Sequence, residues 1–167
     1  MSVGRAWKFG DDISTDLIAP GRYYHLRSNL PELAKHVLED ARPEFAAEVQ
    51  TGDFVVGGRN FGKGSSREHA PVIIKLAGAK AVLAKSFARI FYRNCINIGL
   101  AAVVVDTDRI DDRDELEIDL ERGVVRDRTK GFELKFPPLP SVMARILAEG
   151  GLAEYIKNHG DLIIART

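Results

Sequence analysis

An α/β fold with a parallel strand core and flanking helices is predicted by three observations. Residues 53–106 run strand, helix, strand, helix, strand, the order that a parallel sheet with crossover helices requires. Gly78 and Gly99 stand where those two helices should stop, because glycine enters left-handed backbone without a Cβ clash. Residues 114–136, "DELEIDLERGVVRDRTKGFELKF", alternate apolar and charged side chains around Gly123 and Gly131, the period of surface β-hairpins.

The elements follow in chain order. "AWKFGDDISTDLIAPGR" (6–22) mixes short apolar runs with Gly, Asp, Ser and Pro, which predicts short strands, tight turns and functional loops. "LPELAKHVLED" puts Pro31 in a first turn with Leu33, Val37 and Leu38 near helical spacing, and "PEFAAEVQTG" repeats the design with Pro43 in front and Gly52 behind. Two short helices are expected there. "DFVVGG" and "AKAVLAKS" read as strands separated by an apolar helix ending at Gly78. "FARIFYRNCINIG" reads as a helix that Ser86 can cap and Gly99 can end, and "LAAVVVD" as the next strand. "SVMARILAEGG" and "LAEYIKNHG" close the chain as helices.

The 167 residues fit a single domain, 1–167, with a real core. Lys+Arg and Asp+Glu are both 24. That balance argues against a nucleic-acid or membrane-surface binder, both of which need a basic excess. It still leaves room for a small anionic substrate served by a few local arginines. Cys95 is the only cysteine, so no intrachain disulfide forms and no thiolate set exists for zinc or iron–sulfur on this chain alone. "MSVGRAWKFGDD" has no apolar signal core and the chain has no run of about 18 apolar residues, so a cytoplasmic location is expected.

The stretch "DFVVGGRNFGKGSSREHAPVIIKLAG" (53–78) admits two chemistries. Gly57 and Gly62-Lys63 have nearly the spacing of a nucleotide-binding P-loop between a strand and a helix, and Asp106 ends a strand as a Mg²⁺-binding aspartate would. Against this, the hydroxyl that should follow the lysine is Gly64, and Ser65 arrives one residue late. The second chemistry begins at the serines. Gly62 and Gly64 let backbone approach a ligand, and Ser65 followed by Glu68 has capping-box spacing. Pro71 then either kinks a helix begun at Ser65 or opens the helix itself after an irregular turn. On either course Ser65, Ser66 and Arg67 lie where free amides favour an anion. The plain alternative is that Ser65 only caps and Arg67 is only a surface charge.

Three separated segments, "DISTDLIAPGRYY", "NFGKGSSREHAP" and "AKSFARIFYRNCINIG", together resemble the small subunits of isopropylmalate dehydratases, the swivelling-domain branch of the aconitase family. The match runs from about residue 6 to 106. The resemblance implies a swivelling β/β/α fold and a hydro-lyase that isomerises a substituted malate, 3-isopropylmalate first and homoaconitate second. It implies a partner large subunit, in a heterodimer or heterotetramer, that carries a 4Fe-4S cluster. This chain itself would bind no metal, nucleic acid or membrane, and its ligand would be a small di- or tricarboxylate. By the same resemblance Ser65 is the base that moves the carbon-bound proton, Arg67 grips a substrate carboxylate, Ser66 supports the turn or donates a hydrogen bond, Asp16 is an active-site aspartate, and Arg27 is a loop arginine that contacts substrate. A serine base needs local positive potential, for which Arg67, the loop amides, the helix end and Lys63 are candidates. Lys63 departs from the cysteine often found between the two glycines, which bears on substrate choice. His25 is a candidate to face substrate, His69 either orients the serine motif or is an ordinary helix-face histidine, and His36 and Cys95 read as structural. Arg89, Arg93, Asn94 and Asn97 carry no assigned chemistry.

Overall fold

The structure is a computed structural model that describes residues 3–160. A mixed sheet with the strand order β4-β3-β2-β1-β5-β6-β7 organises them. Its parallel half comprises β1 (Gly4–Lys8), β2 (Phe54–Val56), β3 (Ala81–Ala84) and β4 (Ala101–Val104), in registers that set Trp7 beside Val55, Val55 beside Val82 and Val82 beside Ala102. The antiparallel half is the meander β5 (Glu115–Asp119), β6 (Val124–Asp127) and β7 (Phe132–Lys135). The alternation predicted it, with the turns at Gly123 and Gly131, both at positive φ.

The period of two sorts the parallel strands' side chains into two cores. Trp7, Val55, Val82 and Ala102 face the helices, joined by Phe61, Ile73, Ile74, Phe91 and Cys95. Phe54, Val56, Leu83 and Val103 face the other way and share one cluster with Leu116, Ile118 and Val125. The meander therefore covers the sheet face that the helices leave bare. This is the β/β/α layering expected, because central parallel strands must be buried on both sides.

The helices are α1 (Thr15–Ile18), α2 (Leu30–Ala34), α3 (Phe45–Glu48), α4 (His69–Leu76), α5 (Arg89–Asn97), α6 (Ser141–Ala148) and α7 (Leu152–His159), with a 3-10 segment at Gly21–Leu26. Gly78 and Gly99 end α4 and α5 with positive φ as predicted. α2 and α3 are shorter than the sequence suggested. α3 ends where Val49 turns extended, so Gly52 belongs to the turn before β2 rather than to a helix cap.

Two capping expectations fail. α5 starts after Ala88 with no side-chain cap, and the Ser86 hydroxyl instead accepts the Asn60 amide N–H at 2.8 Å. α4 starts at His69 behind an uncapped Glu68, so Ser65 and Glu68 form no capping box. Pro71 falls in the first turn of α4, where its missing N–H has no helical acceptor to lose. Among the described residues no helix is long and apolar enough to cross a membrane.

Candidate functional site

The site lies where β1 and β2 end and the chain leaves the sheet. Residues 57–68 separate β2 from α4, too long and irregular a path for a P-loop, which passes directly into its helix. Lys63 is half exposed and faces Asp12 at 3.6 Å. The nucleotide reading is set aside on this geometry, since the lysine is neither in a phosphate cradle nor at a helix start.

A second segment moulds the loop. The Gly62 amide donates to the Ile13 carbonyl at 2.7 Å and the Thr15 amide to the Lys63 carbonyl at 2.9 Å. The Thr15 hydroxyl, nearly fully buried, donates to the Ser65 carbonyl at 2.9 Å. Gly62 is required for a reason other than ligand approach: at φ +84° a Cβ there would sit 2.1 Å from the Phe91 ring. Gly64, at φ +108°, has only the Thr15 hydroxyl within contact range at 3.4 Å, so it leaves the loop open on the outer side.

This moulding brings together four of the five residues singled out from sequence. Arg67 Nη2 lies 3.1 Å from Asp16 Oδ1, Arg67 Nη1 donates to the Ala19 carbonyl at 2.9 Å, and Arg67 Nε faces the Ser65 hydroxyl at 3.4 Å. Asp16 Oδ1 also accepts the Gly21 amide N–H at 3.2 Å. The guanidinium is thus held on one side by a carboxylate and a carbonyl while it presents positive charge to Ser65. Ser65 and Ser66 are both exposed. The positive group beside Ser65 is Arg67; Lys63 turns to Asp12, and the helix end lies further along the chain at His69.

Arg27 lines the same cleft as Ser65 and Arg67. Its guanidinium stacks 4.2 Å over the Tyr24 ring and donates to the Tyr24 carbonyl at 3.2 Å. Tyr24, Arg27, Ser65, Ser66, Arg67, Glu68 and His69 line one open cleft of about 400 Å³. Behind the serine loop is a smaller hollow of about 210 Å³, whose apolar wall is Ala88, Ile90 and Phe91. A larger hollow of about 500 Å³ opens at the opposite end of the strands, between the starts of β3 and β4 and Leu147 of α6. Its walls are mainly apolar and none of the residues singled out lines it.

The remaining candidates separate clearly. His36 stacks on Tyr23 at 3.8 Å and meets Glu39 at 3.3 Å, a structural role. His25 is exposed on the 3-10 segment. His69 is half-buried in the cleft wall, and burial followed by the charges of Arg67 and Arg27 holds its imidazole below the usual histidine range. Cys95 is fully buried and burial pushes its thiol pKa up. We expect no reaction of Cys95 with a water-soluble thiol reagent near neutral pH until the protein is unfolded, when one equivalent should react; rapid labelling of the native protein would contradict its placement. Among the described residues no group of three or more His, Cys, Asp or Glu side chains could hold a metal ion, so the chain's own donors do not fit an iron–sulfur cluster.

Sequence reasoning missed Thr15, Gly21 and the apolar wall of α5. Thr15 acts on Ser65 across fifty residues, and no local spacing signals such a contact.

Comparison with known proteins gives a consistent picture. The model of the aconitase C-terminal domain matches residues 15–108. The chain is 66% identical over 162 residues to "3-isopropylmalate dehydratase small subunit 2" of Archaeoglobus fulgidus, with 97% of this chain and 98% of that one covered. It is 55% identical over 152 residues to "Methanogen homoaconitase small subunit" of Methanothermobacter thermautotrophicus, covering 91% and 88%. The crystal structure of a 3-isopropylmalate dehydratase from Methanocaldococcus jannaschii superposes with a TM-score of 0.89 at 47% identity, covering 95% of this chain and 94% of that one.

Proposed function

Because the chain belongs to the aconitase C-terminal domain family, we propose that it is the small subunit of a 3-isopropylmalate dehydratase, a hydro-lyase that works with a large subunit and isomerises 2- and 3-isopropylmalate in leucine biosynthesis. The observation that carries this reading is the Asp16–Arg67–Ser65 chain of contacts beside a cleft that Arg27 also lines. The large subunit would hold a 4Fe-4S cluster, since this chain lacks the ligands, and the cluster would assist departure of the substrate hydroxyl.

The residues of this chain would handle the carboxylates and the carbon-bound proton. Ser65 takes the proton as an alkoxide, which an ordinary serine does not form near neutrality. Arg67 Nε, within reach of the hydroxyl, lowers the cost of that negative oxygen. The forked guanidinium leaves room for a substrate carboxylate beside the serine. Asp16 Oδ1, which meets Arg67 and the Gly21 amide, aims the arginine, and its exposed carboxylate is also open to the substrate. Ser66, exposed on the same cleft, is placed to donate a hydrogen bond to the bound acid.

Arg27 is the proposed selector. The malate carboxylates are common to both candidate substrates, so discrimination falls on groups that meet the third substituent, apolar in isopropylmalate and carboxylate-bearing in homoaconitate. Held by Tyr24, Arg27 can pair with a carboxylate or remain over the ring when the substituent is apolar. In the assembled complex, Arg27→Val should lower kcat/KM for homoaconitate by roughly ten- to a hundredfold, as loss of one charged contact predicts, while 3-isopropylmalate turnover is kept or improved. Equal losses on both substrates would place Arg27 on a shared carboxylate. A wild-type complex that turned over neither substrate would contradict the proposed function itself.

A further inference from the structure

We propose that His69 is a further substrate-binding residue: its imidazole donates a ring N–H to a carboxylate held between Arg27 and Arg67, and it takes up a proton as that carboxylate enters. The proposal rests on the functional reading above.

Its first support is an unspent hydrogen-bonding group. His36 gives a ring nitrogen to Glu39, and His159 meets the Glu149 carboxylate at 2.8 and 2.9 Å. His69 is half-buried, yet among the described residues nothing hydrogen-bonds to its ring; its aromatic neighbour is Tyr24, with centroids 6.3 Å apart. A neutral imidazole without a protein partner keeps both a ring N–H and a lone pair available to a ligand. This one opens into the cleft lined by Ser65, Arg67 and Arg27.

Its second support is the charge around it. The charges of Arg67 and Arg27 both disfavour its proton, as burial does more strongly; Glu68 alongside opposes them. Without a bound anion the imidazole is therefore held toward its neutral form. A carboxylate that settles on the two guanidiniums cancels the charge that repels the proton. The imidazole can then charge, and a third donor converges on the ligand. A permanent cation in its place would repel both arginines whenever the cleft is empty, whereas a histidine adds its charge only with the ligand.

The test is the pH dependence of kcat and KM for 3-isopropylmalate in the purified two-subunit complex, from about pH 6 to 9 across the histidine range. Substrate raises the pKa of His69, so binding takes up a proton between the free and bound values, and KM should fall as pH is lowered through that window and be flat above it. His69→Gln keeps an N–H donor but cannot titrate. The ratio of the wild-type to the His69→Gln KM should carry the pH dependence, because titration of the substrate cancels from it. His69→Ala should raise KM roughly tenfold, the loss of one hydrogen bond to a charged group, with a smaller effect on kcat. A pH-independent ratio, or a His69→Ala variant with an altered melting temperature and an unchanged KM, would overturn the proposal. Failure of the wild-type complex to turn over any malate derivative would instead overturn the functional reading, and this proposal with it.

Discussion

Ser65→Ala should leave the two-subunit complex assembled and its cluster spectrum unchanged, while kcat falls by on the order of a thousandfold or more, the loss expected when an essential base is removed. The structure makes this substitution unusually clean. The Ser65 carbonyl, not its hydroxyl, anchors the loop, by accepting from Thr15 at 2.9 Å, and the Arg67 amide donates to the same carbonyl at 2.9 Å. The hydroxyl itself caps no helix, since α4 begins at His69, and among the described residues its one hydrogen-bonding contact is Arg67 Nε at 3.4 Å. Stability should therefore change little. Were Ser65 a cap, the alanine variant would lose roughly 1 kcal/mol of stability and keep its turnover. Ser66→Ala should reduce turnover far less than Ser65→Ala. Thermal denaturation and steady-state kinetics on the same preparations separate these outcomes.

The second large effect belongs to Arg67. Arg67→Lys keeps the positive charge but loses the fork that lets one side chain reach Asp16, the Ala19 carbonyl and the Ser65 hydroxyl together. A single ammonium on a flexible stem can serve only part of that set. In the proposed mechanism the same group both favours the Ser65 alkoxide and grips a carboxylate common to the candidate substrates, so kcat/KM should fall by roughly a hundredfold or more. The loss should be equal for 3-isopropylmalate and homoaconitate. Arg27→Val differs from it in acting on one substrate, so the two variants assayed side by side divide the cleft into a shared half and a selective half. Asp16→Asn should resemble a weaker Arg67→Lys, because it loosens the guanidinium without removing it.

The core of the fold was legible in sequence wherever local rules and tertiary demands agree. The strands of "DFVVGG" and "AKAVLAKS" are apolar throughout because both faces are covered, that of "LAAVVVD" is buried except at Val104, and Gly78 and Gly99 mark helix ends that demand positive φ. The central place of β1 was not legible. Its five residues carry no long apolar run, and their pairing with both β2 and β5 is a tertiary choice. Capping was misread for an identifiable reason: Ser65–Glu68 and Ser86 have the right spacing, but loop contacts across the chain hold those serines outside the helices. The site residues themselves stood out as a motif. Their wiring did not, because Asp16 meets Arg67 and Thr15 meets Ser65 only after residues 13–16 fold against the serine loop.

Turnover combines loss of the hydroxyl with transfer of the proton, so the most direct measurement of the central claim, that Ser65 is the base, isolates the proton. The assembled complex is incubated with 3-isopropylmalate in deuterium oxide over many turnovers, and deuterium appearing at the carbon is followed by mass spectrometry. With wild-type chain the label should enter the substrate pool, and with Ser65→Ala it should enter at no more than about a thousandth of that rate, though substrate still binds. Exchange by the Ser65→Ala complex at the wild-type rate would place the base elsewhere and contradict the role given to this serine.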